Sequence, residues 1–418
     1  MTMWLMLHGN GVLNRSRVVQ YPKPTRSPCR PRKPTPVDRL RHALGFMTGT
    51  SIDGIDAALI EISGHGTAMS VRLIRQVHEP MTELAEPLKA FARGGRLTAV
   101  EIAALARRLG EHHAHVFATH FADESIDFAV VHGQTVCHAP PDSLQLMNPW
   151  PLTAVAECPV IHDLRGADLA MGGQGAPITP IADAILYRDH RDPGSSLAIV
   201  NLGGFINTTL LPAMDPGADI LEQVSGFDCC PCNHLLDAAS LETLDRPFDR
   251  DGEVAASGVP DTATASAFGR KIAGLFQDRR SGGDGDEHRT EAVAIASAAK
   301  SPADGLATIC QAIGIALAEC LATAGRRLDA TPPSRLILAG GGVLNACLVE
   351  AIRSNSPASI DVRISDEFGL PAQARECVAM ATLGALACDG IPITATSVTG
   401  RRTGPTSCPS ITAGRLSS

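Results

Sequence analysis

The chain has 418 residues, enough for two lobes, and carries a formal net charge of −8. That charge offers no general field for nucleic acid, and an aromatic content of 4%, with two Trp and two Tyr, argues against a base-stacking surface. No apolar run approaches the roughly 18 residues that span a bilayer, and the opening MTMWLMLHGNGVL lacks a basic leader, so a cytoplasmic protein with mostly reduced core cysteines is expected.

Residues 1–41 form a basic, Pro-rich leader, expected to be disordered. Residues 42–190 read as a first α/β lobe. HALGFM (42–47) and DAALIEI (56–62) pattern as paired strands, and MSVRLIRQV (69–77) as a third. Thr98 and Glu101 make a capping box ahead of a helix with Ile102, Leu105, Leu109 and Val116 on one face. DFAVVHG (127–133) and CPVIHDL (158–164) read as short buried strands, and PITPIADAILYRDH (177–190) as a helix. The polar, turn-rich DHRDPGSS (189–196) marks the lobe boundary. A second α/β lobe, 196–373, opens on LAIVNLGGFINTTLLPA (197–213), which repeats the opening plan of strand, glycine turn and strand. A helix over about 304–326 carries Leu306, Ile309, Ile313 and Leu317 on one face, and RLILAGGGVLNACLVEAI (335–352) is strand, triple glycine, helix. Residues 374–392 form a C-terminal helix, and 393–418 are expected to be a disordered polar tail.

Glycine turns on two facing lobes suit a polyphosphate, because glycine lets backbone N–H groups curl around phosphate oxygens. In TGTSIDGID (48–56) the hydroxyls of Thr48, Thr50 and Ser51 add donors, and Asp53 and Asp56 could hold Mg²⁺ directly or through its waters. The same stretch also reads as a plain hairpin turn. Neither G-x-x-x-x-G-K-[ST] nor a strand-following G-x-G-x-x-G occurs, which argues against a P-loop or dinucleotide enzyme. VHGQTVCH (131–138) sets His132, Gln134 and Thr135 just past a strand end, where α/β sheets bind ligands. HDLRGADLAMGGQGAP (162–177) places Arg165 three residues before Asp168, on one helical face, and an ionised Asp beside a sugar can deprotonate water. A surface ion pair is the alternative. FDCCPCNHLLD (227–237) contains C-x-x-C, but no second such pair completes a zinc site.

Together these stretches resemble the anhydro-N-acetylmuramic acid kinase family. The resemblance spans about 44–392 and rests on GFMTGTSIDGIDAAL, HGQTVCHAP, DLRGADLAMGGQGAP, IVNLGGFINTT, LAGGGVLN and GLPAQARE. It implies an α/β, two-lobed actin/hexokinase-like (ribonuclease H-like) fold with a central cleft. It implies an ATP- and Mg²⁺-dependent kinase that hydrates and phosphorylates 1,6-anhydro-N-acetylmuramic acid, giving N-acetylmuramic acid 6-phosphate in cell-wall recycling. By motif match, Gly49, Thr50, Ser51, Ile52, Asp53, Gly54, Ile55 and Asp56 would hold ATP phosphates. Asn201, Gly203, Gly204 and Asn207 would form the second phosphate turn, with Gly340, Gly341 and Gly342 near the nucleoside. Asp168 would be the general base; His132, Gln134, Thr135, Arg165 and Gln174 would line the sugar site; Asp53 and Asp228 would hold the metal. The implied partners are a small sugar and ATP, not nucleic acid or membrane, and a homodimer is compatible with this reading.

The chain departs from the family pattern at Cys229, Cys230 and Cys232, where the family has Thr, Gly and Gly; Cβ atoms are then expected where backbone should approach a ligand. Met147 and Asn148 replace a Gly-Asp pair, and Cys137 stands where Arg is common. Two rival readings are a catalytically impaired nucleotide- or sugar-binding homologue and a serine hydrolase pairing Ser51 with His132; against the second, GTSID lacks the glycine spacing of a nucleophile elbow.

Overall fold

A computed structural model describes residues 39–49, 51–192, 194–213, 219–274, 288–327, 332–402 and 409–412. Thr50, nearly all of the basic leader and much of the expected tail lie outside the described residues. The strands are β1 (Arg41–Met47), β2 (Gly54–Ser63), β3 (Ser70–Pro80), β4 (Phe128–Val131), β5 (Gln134–Ala139), β6 (Asp142–Leu146), β7 (Val160–His162), β8 (Ser196–Leu202), β9 (Phe205–Leu211), β10 (Ser225–Pro231), β11 (Pro333–Ala339), β12 (Asp361–Ile364) and β13 (Ser410–Thr412).

They build a six-stranded sheet, β13-β7-β4-β1-β2-β3, a five-stranded sheet, β10-β9-β8-β11-β12, and the small β5-β6 hairpin. The two large sheets share a plan. Each begins with three antiparallel neighbours, β1-β2-β3 or β8-β9-β10, and adds parallel strands beside the first, β4 and β7 or β11 and β12. Tight turns suffice for the antiparallel part, whereas the parallel steps need crossover helices. Ala99–His120 lies in the crossover from β3 to β4, and Pro302–Arg327 in the one from β10 to β11. The first of these starts on the expected capping box: Thr98 accepts from the Glu101 N–H while Glu101 accepts from the Thr98 N–H.

Pro302–Arg327 corrects one expectation. It is long and apolar enough to cross a membrane, but most of it is buried inside the protein. Leu306, Ile309, Ile313 and Leu317 pack into the core of the second sheet, which accounts for the apolarity.

The helix Arg375–Cys388 returns to the first sheet. Gly45 on β1 lets its backbone come close: a Cβ there would lie 2.0 Å from the Cys377 carbonyl oxygen. Behind it a single apolar core joins residues of both sheets, among them Ile60, Ile161, Ile199, Leu211 and Ile337. A buried ion pair crosses the same region. Arg375 donates to both oxygens of Asp183, with its Nε at 2.8 Å, and to Thr179, while Thr209 on β9 donates to Asp183.

Part of the expected disordered tail, residues 393–402 and 410–412, is ordered on the fold. Thr396–Thr399 is a short helix, and β13 adds antiparallel to β7, pairing Ser410 with His162 and Thr412 with Val160. Ile393, Ala395 and Val398 are buried; single apolar residues among polar neighbours anchor the segment.

Candidate active site

Past the end of β7, Asp163 accepts from the Gly166 N–H and starts the short helix Gly166–Ala170, whose first turn carries Asp168. Asp168 is 1% exposed. Both of its carboxylate oxygens are held: the Gly175 N–H donates to Oδ2 at 2.7 Å and the Thr399 hydroxyl to Oδ1 at 2.7 Å. Gly173 leaves room for the carboxylate, since a Cβ there would fall 2.1 Å from Oδ2.

The expected Arg165–Asp168 pair is not formed. Arg165 turns the other way, donating from Nη1 to the Gly175 carbonyl at 2.7 Å and from Nη2 and Nε to His132 Nε2 at 2.9 and 3.2 Å. The cation beside Asp168 is Arg401, with Nε 3.8 Å from Oδ1. His132 Nδ1 faces the Gly133 carbonyl at 2.9 Å, so the proton sits there and Nε2 accepts from Arg165. Burial, then the Arg165 charge, pushes the imidazole down to about 3, so it is neutral and serves to orient Arg165. A Ser51–His132 couple does not exist either, because Ser51 donates to Asp53 at 2.7 Å; this removes the geometry a serine hydrolase needs.

Of the other sugar-side candidates, Gln134 is buried, donates to the Thr135 carbonyl and keeps its Oε1 without a partner among the described residues. Thr135 is occupied in the β5-β6 hairpin, donating to Gln145 at 2.6 Å. The backbone N–H of Gln174 donates to the Thr399 carbonyl at 2.9 Å. Asn148 caps the next turn by accepting from the Trp150 N–H, and Met147 packs against the apolar cluster of Leu44, Phe46 and Ile55 on the first sheet. Glu376 carries no sequence signal beyond its place in GLPAQARE. Burial pushes its carboxyl up, Arg375 and Arg165 oppose this, and Asp56 and Asp183 add to it.

In the first turn the Thr48 hydroxyl is buried without a partner among the described residues, and Asp56 holds His78 at 2.8 Å, which pushes that imidazole up. Three of the expected ligand positions have no side chain to offer. Ile52 and Ile55 send their side chains into the core, and Gly54 lies against His78, where a Cβ would be 2.4 Å from the ring. Only their backbone remains for a ligand.

In the second turn Asn201 donates to Asn207 at 3.4 Å, and Asn207 to Asp228 at 3.0 Å. The 340–342 turn packs directly on this group: Gly340, at φ +84°, has space for a Cβ only 2.7 Å from Asn201 Oδ1, and a Cβ on Gly342 would be 2.7 Å from Leu202. Asn201 Oδ1 has no partner among the described residues. The Thr48 hydroxyl can donate to a phosphate oxygen and the Gly341 backbone has open space beside it, whereas Asn201 Oδ1 calls for a donor or a cation.

The cysteine departures are resolved by position. Cys229, Cys230 and Cys232 are fully buried in the second core, so their Cβ atoms fill core volume and not the ligand side. Burial pushes all three thiols up, and they stay protonated. Among the described residues no three His, Cys, Asp or Glu side chains are placed to hold a metal ion. One or two carboxylates are what Mg²⁺ uses beside phosphate oxygens and water, and Asp53 and Asp228 offer that kind of donor. Asp237 is not singled out by the sequence: burial raises its carboxyl to about 7, Arg289 opposes and the Asp53 charge adds. Arg165 in turn feels Asp228, Glu376 and Asp168. The charges of the two glycine turns and of the Asp168 group thus act on one another.

A family model described as anhydro-N-acetylmuramic acid kinase matches residues 41–412. The anhydro-N-acetylmuramic acid kinase of Prochlorococcus marinus (strain MIT 9313) is 34% identical over 376 residues, covering 86% of this chain and 96% of the relative. That of Salinibacter ruber is 32% identical over 383 residues, covering 86% and 93%. Solved structures are looser matches. The activator of the 2-hydroxyisocaproyl-CoA dehydratase from Clostridium difficile with bound ADPNP is 13% identical at a TM-score of 0.40, covering 83% of this chain and 95% of that one. A ROK family glucokinase from Streptomyces griseus with glucose and AMPPNP is 14% identical at 0.36, covering 82% and 98%. The match over most of the length, on a chain with two sheets of one plan, establishes that this protein belongs to the anhydro-N-acetylmuramic acid kinase family.

Proposed function

We propose that the protein converts 1,6-anhydro-N-acetylmuramic acid, ATP and water into N-acetylmuramic acid 6-phosphate and ADP, with Asp168 as general base. The observation that carries the assignment of the base is the Asp168 carboxylate, buried and fixed through both oxygens within the family's own motif. A carboxylate held in one orientation can take a proton from a water aligned on C1 of the sugar. The water oxygen bonds C1 as the C1–O6 bond breaks, and the electron pair stays on O6. That oxygen then bonds the γ-phosphorus while the bond to the leaving ADP breaks, and the proton rests on Asp168.

Arg165, oriented by neutral His132, supplies a fixed positive charge that the Asp228, Glu376 and Asp168 carboxylates stabilise. Asp53 and Asp228 would hold Mg²⁺, which when bound offsets charge on the phosphoryl oxygens. Use of ATP goes with a cytoplasmic site of action. The support for an impaired homologue was the cysteine loop, and its thiols lie in the core.

The test is incubation with Mg-ATP and the anhydro-sugar, followed by mass spectrometry. The parent should add water plus phosphate to the sugar. Asp168→Asn should abolish that product while nucleotide binding persists; normal turnover in the variant would show that another group is the base.

A further inference from the structure

We infer that Thr399 is a positioning residue for Asp168, so that the segment 394–402 is part of the active site. The inference rests on reading Asp168 as the base. Thr399 is 1% exposed and its hydroxyl has one proton with two acceptors in reach: Asp168 Oδ1 at 2.7 Å and the Ala395 carbonyl at 3.3 Å. The shorter contact to the charged oxygen takes the proton. The terminal torsion of an aspartate is soft, so a carboxylate held by one donor can turn. The Gly175 N–H fixes Oδ2 and Thr399 fixes Oδ1, and together they set the plane of the group.

Arg401 makes that second donor necessary. Its Nε lies 3.8 Å from Oδ1, and its guanidinium is itself held by the Thr394 carbonyl. Without the Thr399 hydroxyl, Oδ1 is free to swing onto this buried cation and away from the water it must deprotonate. The segment can carry the load because it is stitched down on both sides. The Gln174 N–H donates to the Thr399 carbonyl at 2.9 Å and the Arg402 N–H to the Met171 carbonyl at 3.1 Å, both on the Asp168 loop. On the far side Ser397 donates to the Val224 carbonyl at 2.7 Å, just ahead of β10. Through Ser397 and Thr399 the segment thereby links the Asp168 loop to the residue preceding β10.

The experiment compares the full-length parent with Thr399→Val, Thr399→Ala, Thr399→Ser and Asp168→Asn, measuring kcat and both KM values with Mg-ATP and the anhydro-sugar alongside the unfolding midpoint. Loss of a hydrogen bond to a charged group should lower kcat by about tenfold to a hundredfold in the variants without a hydroxyl, with KM for ATP unchanged. Thr399→Ser should keep kcat within about threefold of the parent, since it retains the donor. Parent-like kcat in Thr399→Val or Thr399→Ala, while Asp168→Asn is inactive, overturns the inference and leaves the base in place. Parent-like turnover of Asp168→Asn removes the base, and with it the inference. Failure of both hydroxyl-less variants to fold marks a purely structural role and overturns it as well.

Discussion

Asp237 tests the electrostatics of the phosphate side through stability alone. Its carboxyl sits in the helix Asn233–Leu244, raised from the ordinary 3.8 to about 7 by burial first, with Asp53 adding and Arg289 opposing. The folded chain therefore keeps this proton to higher pH than the unfolded chain does, so the group lowers stability as pH rises from about 4 to about 7. A gap of about three pK units at ~1.4 kcal/mol each makes the cost on the order of 4 kcal/mol above pH 7, an upper bound, and roughly 1–2 kcal/mol near pH 5. Asp237→Asn keeps the shape and removes the titration. It should stabilise the chain more at about pH 8 than at about pH 5, by roughly 2–3 kcal/mol. Urea unfolding of the apo-protein at both pH values, with no nucleotide or Mg²⁺, measures this. An offset that is the same at both pH values, or larger at the lower one, would refute the reading that folding raises the Asp237 carboxyl.

Two further substitutions read the packing. Gly173→Ala puts a Cβ 2.1 Å from Asp168 Oδ2 and 2.9 Å from the Arg401 Cβ. Displacing the carboxylate should lower kcat by about a hundredfold or more in steady-state assays, and parent-like kcat would show that its position is unimportant. Gly45→Ala drives a Cβ to within 2.0 Å of the Cys377 carbonyl oxygen, where backbone must move. It should cost about 1–3 kcal/mol in thermal or urea unfolding with kcat per folded molecule unchanged, and no loss of stability would contradict the contact between β1 and the helix Arg375–Cys388.

The sequence carried the fold wherever an element repeats its pattern long enough. β1, β2 and β3 alternate or run apolar over seven to eleven residues, and the capping box at Thr98 marks a helix start by local chemistry alone. The helix Thr396–Thr399 and β13 have four and three residues, too few to show a period, and they form because neighbouring strands and loops are already in place. The same split governs the site. His132, Arg165 and Asp168 lie in motifs that stand out in the sequence, but which of them touch does not follow from spacing. A separation of three suggested that Arg165 meets Asp168; the short turn instead sends Arg165 across to a histidine 33 residues away and leaves Asp168 to a threonine 231 residues away. Glu376 and Asp237 gain significance only from charges that the fold brings near them.

The cysteine loop shows why a change of residue type in a binding motif does not by itself predict loss of function. A regular strand would turn Cys229 and Cys230 to opposite faces, and one of them toward the ligand. The β9-β10 pairing shifts register between Asp228 and Cys230, and such an irregularity breaks the alternation. Both thiols then enter the core, with Cys229 against Thr208 and its carbonyl accepting from Cys320. What shapes the turn is main chain: the Cys232 N–H donates to the Gly204 carbonyl at 2.8 Å and the Asn233 N–H to the Gly203 carbonyl at 3.1 Å. Bonds of this kind are indifferent to the side chain attached, provided that side chain has somewhere to go. The core supplies that space here, so the second glycine turn keeps its form, and Asn207 still reaches Asp228 beside it.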